Sequence, residues 1–123
     1  MNSRLTKRQR LLRSRDFSQV FGQPAFRFST PQLLMLAQPN ELGVARLGLV
    51  ISRKNVGCAV ARNRIKRLSR EAFRVRAGDF ATIDIIVLAR SGIDKLDNPA
   101  VTAMLNSLFD KLCLKGAELT RTP

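Results

Sequence analysis

The sequence predicts an α+β fold, a two-layer α-β sandwich around a small mixed sheet. Three observations carry this. Apolar residues recur at helical spacing over 17–21, 61–75 and 101–112. Short apolar runs bounded by Pro, Gly and Asn, the punctuation of strands, lie between these helical stretches. A length of 123 residues suits one domain with a modest core.

In chain order, residues 1–13 are polar and cationic and are expected to form a loose arm. They lack the apolar core and small-residue cleavage site of a secretory signal. Ser14 is placed to cap a short helix, with Asp16 in its first turn and its end before Gly22. Phe17, Val20 and Phe21 share one face of it. Gln23-Pro24 breaks the helix, Phe26 to Ser29 forms a short strand, and Pro31 stops it. Gln32 to Gln38 reads as a strand, Pro39-Asn40-Glu41 as a turn, and Arg46 to Ser52 as another strand. Asn55 to Gly57 leads into a basic helix that ends near Arg76, before Gly78. Ile83 to Ala89 is a strand covered on both sides apart from Asp84, and Ser91-Gly92 turns the chain. Asn98 as cap and Pro99 at the first position start a last helix. Val101, Leu105, Leu108 and Leu112 face the core, Gly116 ends the helix, and 117–123 is expected to be a disordered tail. Helix, strands, basic helix, strand, helix is thus the predicted order.

Charge is the strongest functional signal. The net formal charge is +13, and residues 1–76 hold 17 of the 22 cations but only 3 of the 9 acids. The basic helix gathers much of it. At about 100° per residue, Ala61, Ile65, Leu68, Ala72 and Val75 make one apolar stripe. Arg62, Asn63, Lys66, Arg67, Arg70 and Arg74 lie opposite, with Arg64 at the edge. A merely solvated face usually mixes signs, because like charges at i,i+4 repel. A polyanion is the better explanation, and arginine forks suit phosphate oxygens.

Several classes are excluded. There is no histidine, so His-based acid-base catalysis and His metal sites are absent. Cys58 and Cys113 are too far apart in sequence for a zinc motif and suit reduced thiols in the cytoplasm, with Cys58 read as a small buried thiol. The nine acids are scattered rather than clustered as a two-metal nuclease requires. No apolar run approaches the about 18 residues of a membrane span. A basic chain with no catalytic set is a binding module, or a subunit of an enzyme whose chemistry lies elsewhere.

Ala61-Arg62-Asn63-Arg64-Ile65-Lys66-Arg67-Leu68, with Arg53-Lys54 before it and Arg70-Glu71-Ala72-Phe73 after it, resembles the signature of the bacterial ribonuclease P protein subunit. Lys7-Arg8-Gln9-Arg10-Leu11, Asp16-Phe17, Val20-Phe21 and Leu47-Gly48-Leu49-Val50 fit the same family. The resemblance implies an α-β-β-β-α-β-α order with a left-handed crossover through the basic helix, where pattern alone suggests a right-handed one. It also implies a non-catalytic accessory protein that forms a two-component complex with ribonuclease P RNA. That RNA uses Mg2+ to remove the 5′ leader of precursor tRNA, and no cofactor is expected on the protein itself. By resemblance, Arg62, Asn63, Arg64, Lys66, Arg67 and Arg70 face the catalytic RNA. Pairing of Arg64 with Glu71 or a strand acid is the competing role. The leader is expected in a cleft between the first helix and the sheet. There Phe17 and Phe21 offer stacking platforms, and Arg10, Arg13, Arg53 and Lys54 offer charge. Ordinary core packing is the alternative for both Phe residues. The strand around Leu34-Met35-Leu36 carries no aromatic, and the chain has no Tyr or Trp. A ribosomal or other structural RNA-binding protein remains the alternative reading, and a DNA-binding protein is disfavoured by the lack of a recognition-helix pair.

Five or six phosphate contacts to single-stranded RNA give a log-log salt slope of roughly −3.5 to −4. A salt titration of RNA affinity checks this. A slope near −1 would show that the cationic face is not the binding surface.

Overall fold

A computed structural model describes residues 9–11, 13–76, 78, 80 and 82–120. The elements follow the order α1 (Ser14–Gly22), β1 (Phe26–Ser29), β2 (Leu33–Pro39), β3 (Arg46–Val50), α2 (Ala59–Arg76), β4 (Ile83–Ala89) and α3 (Asn98–Thr120). A 3-10 turn, Ile93–Lys95, precedes α3. This is the α-β-β-β-α-β-α order expected, with a mixed four-stranded sheet in the order β1-β2-β4-β3. β1 pairs antiparallel with β2, β2 antiparallel with β4, and β3 parallel with β4.

The two sheet faces are filled differently. Leu33, Met35 and Ala37 of β2 and Ile83, Ile85, Val87 and Ala89 of β4 join Ile65, Leu68, Ala72 and Phe73 of α2 and the apolar face of α3 in the main core. The rings of Phe73, Phe80 and Phe109 pack together there, 5.4 to 6.2 Å apart. The opposite face carries a smaller core of Leu11, Val20, Leu36 and Ile86 under α1. Strand alternation sorts an almost unbroken apolar run onto these two faces.

Directly opposed residues share a face, so the pairing sets three rows across the α1 side. The first is Gln38–Asp84–Arg46, the second Arg27–Leu36–Ile86–Gly48, and the third Ser29–Leu34–Leu88–Val50. The first row is polar yet deep: Asp84 is only 5% exposed. Arg46 Nε and Nη2 donate to the two Asp84 oxygens at 2.7 Å each, and Asn40 Nδ2 donates to Oδ1 at 2.7 Å. This pairing raises the Arg46 pKa above its ordinary value, chiefly through the side-chain hydrogen bond to Asp84. Arg46 Nη1 reaches Asp16 of α1 at 3.4 Å. In the second row Gly48 is required for close approach: a Cβ there would stand 2.7 Å from the Phe17 ring and 3.0 Å from Leu11. Phe17 therefore packs directly against β3 at Gly48.

Several expectations are corrected. The arm is not loose throughout: Arg10 bridges to Leu47, the Leu11 N–H donates to the Leu47 carbonyl at 2.9 Å, and Leu11 is buried. Residues 1–8, 12 and 121–123 lie outside the described set. Arg13, not Ser14, occupies the cap position of α1, with no side-chain cap bond, and the helix includes Gly22. β2 is shifted by one residue and β3 is two residues shorter than expected, while α2 begins at Ala59, just past the expected Asn55–Gly57 entry. Val75 is 68% exposed, while Ser69 and Phe73 are buried in its place. α3 and the sheet together take up the 65/69/72/73 edge, with Phe73 against Phe109 of α3, which rotates the buried stripe away from Val75, and Ser69 satisfies its hydroxyl on the Ile65 carbonyl. Asp97, not Asn98, caps α3 by accepting the Ala100 N–H at 2.9 Å. The helix also runs through Gly116 to Thr120, since glycine weakens a helix without ending one that is already propagating.

Asp84→Ala leaves the Arg46 guanidinium without its main partner and is expected to cost about 3 kcal/mol in urea unfolding. Asp16→Ala breaks only the 3.4 Å contact and is expected to cost less than about 1 kcal/mol. Equal losses would show that Asp84 is not the anchor.

Candidate nucleic-acid interface

α2 presents the cationic face. Asn63, Arg67, Arg70 and Arg74 are exposed, and Lys66 is half-buried. Two of the expected phosphate-binding arginines are committed within the fold. Arg62 Nη1 donates to the Val56 and Gly57 carbonyls at 2.9 Å each, bracing the approach to its own helix. Arg64 donates to Asn98 Oδ1 at 2.7 Å and to the Asp94 and Leu96 carbonyls at 3.2 and 3.0 Å. Arg64 thus ties α2 to the start of α3, and neither Glu71 nor a strand acid is its partner. Unsatisfied carbonyls around the Ile93–Lys95 turn explain the attraction.

Cys58 is exposed rather than buried. It directly precedes α2, and backbone N–H groups of Ala61 and Val60 bond its sulfur, which lowers the thiol pKa from its ordinary value. The first turn of a helix offers free donors whatever the residue's size, so a small apolar reading of cysteine fails here. Arg53 and Lys54 are exposed on the turn between β3 and α2. Asn55 pins that turn by donating to the Ala89 carbonyl at 3.0 Å and accepting from Ser91.

The second expected surface lies on the α1 side of the sheet. Phe17 is half-buried against Gly48, while Phe21, one turn on, is 44% exposed. The third row of the sheet stays half-buried: Leu34, Leu88 and Val50 lie side by side across three strands and border the small core with Phe17. This aliphatic floor is what the sequence reading missed. In Leu33-Leu34-Met35-Leu36-Ala37 every residue is apolar, so periodicity cannot say which positions lie beneath a helix. Arg27 faces the same side from the edge strand, and Arg53 and Lys54 follow soon after Val50. Arg13 is exposed before α1. Arg10 is brought instead to a small cavity beside β3, where it meets Phe17, Lys66 and Arg70.

A larger concavity, about 700 Å³, opens on the other flank of α1. Asp16, Glu41 and Asp84 line it against Arg46, with the amides of Gln19, Gln23 and Gln38. Its carboxylates repel phosphate, which makes this flank of α1 unsuited to a nucleic acid. Among the described residues no group of three His, Cys, Asp or Glu side chains is placed to hold a metal ion, and no helix is long and apolar enough to cross a membrane.

Known proteins match this arrangement. The family model for ribonuclease P covers residues 5–113. A ribonuclease P protein component from Chromohalobacter salexigens is 47% identical over 106 residues, 86% of this chain and 83% of that protein. The structure of the Staphylococcus aureus RNase P protein superposes with a TM-score of 0.77 at 29% identity, covering 83% of this chain and 93% of that one. A variant of the S. aureus protein, described as defective in mRNA degradation activity, superposes with a TM-score of 0.77 at 28% identity, covering 85% and 87%. With its basic helix beside an α1-walled sheet face and a family match over most of its length, this chain belongs to the ribonuclease P protein family.

Proposed function

We propose that the chain is the protein subunit of ribonuclease P, an accessory to an RNA-based endoribonuclease that removes the 5′ leader of precursor tRNA in the cytoplasm. The single observation that carries the division of labour is the pair of surfaces: a cationic helix face, and an apolar strip of sheet bordered by Phe17, with Phe21 exposed one turn along α1. Lys66, Arg67 and Arg70 neutralise phosphates of the catalytic RNA, and the Asn63 amide hydrogen-bonds beside them. Arg62 and Arg64 set the helix in place and keep their remaining N–H groups for the same RNA. The leader lies as a single strand over Leu34, Leu88 and Val50. Phe21 provides stacking, and Arg27, Arg53, Lys54 and Arg13 provide charge along its backbone.

The chemistry belongs to the RNA with its Mg2+. The protein binds no metal of its own and supplies no general base. Of the three carboxylates that line the concavity beside α1, Asp16 and Asp84 are engaged by Arg46, and Glu41 is exposed. Its work is to offset phosphate repulsion between catalytic RNA and substrate and to hold the leader, which reduces the Mg2+ and salt needed for reaction. The mRNA degradation named for the S. aureus relative supports a second reading, in which the protein by itself also cleaves unstructured RNA.

Reconstitution with catalytic RNA and precursor tRNA at low Mg2+ tests the first reading. Phe21→Ala, a change at an exposed side chain, should weaken precursor binding by about 5- to 100-fold, one base stack. Mature tRNA binding should be unchanged, and the loss should vanish as the leader is trimmed to one or two nucleotides. An equal loss with mature tRNA would remove the cleft from the mechanism. Protein stripped of RNA should cleave neither precursor tRNA nor an unstructured mRNA fragment at any Mg2+ concentration. Cleavage of the mRNA fragment alone would establish the second reading, and site-specific cleavage of the precursor would falsify catalysis by RNA.

A further inference from the structure

The two edges of the sheet are finished differently. The outer side of β3 is bridged by the Arg10–Leu11 segment. The outer side of β1 pairs with nothing among the described residues. Thr30 continues the register of β1 opposite Leu33, and its N–H donates to the Leu33 carbonyl at 2.8 Å. Backbone direction alternates along a strand, so Phe28 also turns its N–H and C=O to β2, while Arg27 and Ser29 turn theirs outward. Ala25, whose N–H turns in to the Ala37 carbonyl, ends this free edge on one side. Pro31, which has no N–H, ends it on the other. An open row of backbone donors and acceptors is a template for another strand.

The composition around this edge is unlike that of the rest of the chain. Residues 20–40 carry a single charged side chain, Arg27, in a chain that is 25% charged and has a net charge of +13. Phe26 and Phe28 lie half-buried on the main-core side of the strand, with their rings nearly parallel and 6.5 Å apart. Depleted charge beside half-covered aromatic rings is the make-up of an interface centre. A highly cationic partner can approach here without bringing blocks of like charge together.

We propose that β1 pairs antiparallel with β1 of a second copy of this chain, joining the two four-stranded sheets into one. The ends of the free edge and the charge of Arg27 select the register. With Phe28 opposite Phe28, Arg27 of each copy faces Ser29 of the other, and both of these pairs exchange N–H···O bonds. With Arg27 opposite Arg27, like charges meet, and the Ala25 N–H is already spent on Ala37. With Ser29 opposite Ser29, Arg27 faces Pro31, which cannot donate. Directly opposed residues share a face, so the symmetric pairing puts both α1 helices on one side of the joint sheet and both α3 helices on the other. The two Phe28 rings then meet at the closer spacing of a non-hydrogen-bonded pair, and each covers part of the other. α2 packs on β3 and α3 rather than on β1, so the cationic face of each copy stays open.

Sedimentation equilibrium of the RNA-free, full-length protein tests the proposal. Two copies of net charge +13 repel at a distance, and salt screens that repulsion. Self-association should therefore tighten as NaCl rises from about 0.1 M to about 0.5 M, the opposite of the trend for RNA affinity. Ser29→Pro removes one outward N–H from each copy and spares the bonds of Phe28 and Thr30 to β2. It should weaken the dimer about tenfold or more, with the circular dichroism spectrum unchanged. Ser29→Glu places an acid opposite Arg27 in the selected register and should tighten the dimer about threefold or more. Should Ser29→Pro fail to fold, the Ser29→Glu result decides alone. A monomer at every salt and protein concentration overturns the proposal: the short length of β1 and Arg27 then guard the edge, or keep it for a strand of another protein. A dimer that neither Ser29 variant alters also overturns it, since association then uses a different face.

Discussion

The structure depends on how it accommodates one buried charge. β4 runs between β2 and β3 and is covered on both faces, so its polar residue, Asp84, has little access to bulk water. A carboxylate in that position must be fully hydrogen-bonded or it destabilises the fold. Arg46 meets it with a two-pronged contact, and Asn40 takes the remaining direction. Each partner fixes something else. Arg46 sets the register of the edge strand β3, Asn40 sets the turn after β2, and the reach of Arg46 to Asp16 holds the start of α1. The angle of α1 then decides which rows of the sheet it covers.

From that placement follows the separation of signs. The flank of α1 next to Asp84 is acidic, while α2 and the turn at Arg53-Lys54 are cationic. Between them the aliphatic row Leu34–Leu88–Val50 remains half-buried because α1 stops at the second row. An extended single strand needs an apolar floor flanked by cations, and a sheet face half covered by a helix supplies it without any added loop. The cost is a chain with strong self-repulsion along α2. Part of that repulsion is offset internally, since Arg62, Arg64 and Arg76 each bond to carbonyls, amides or Asp110. The exposed remainder is left for RNA.

Arg64 shows how a motif can serve two ends. Its three acceptors lie on the segment that leads into α3, so removing it would loosen helix packing as well as RNA contact. Phe17 is similar: its ring both fills the space left by Gly48 and borders the aliphatic row Leu34–Leu88–Val50. Phe21 and Lys66 have no such structural duty and are cleaner reporters of function. Of the Phe pair, Phe17 packs against Gly48, and Phe21 stays exposed as the proposed stacking platform.

The sequence by itself determined the element order, the strands at Phe26–Ser29 and Ile83–Ala89, the cationic face of α2 and the family. These rest on local periodicity and charge, which survive without knowledge of neighbours. Tertiary structure alone decided the rest. The stripe of α2 moved from Val75 to Phe73 because the partner surface, not the helix, chooses the angle of burial. The cap of α3 moved to Asp97 because adjacent polar side chains compete for the same N–H, whereas α1 begins after Arg13 with no side-chain cap bond. The aliphatic floor of the cleft was hidden because an all-apolar strand has no visible face until a helix covers part of it. Arg10 was drawn to Lys66 and Arg70 by a backbone bridge between residues 37 apart, Arg10 and Leu47. Contacts of that range are fixed by the packing of the whole sheet, and no local pattern encodes them.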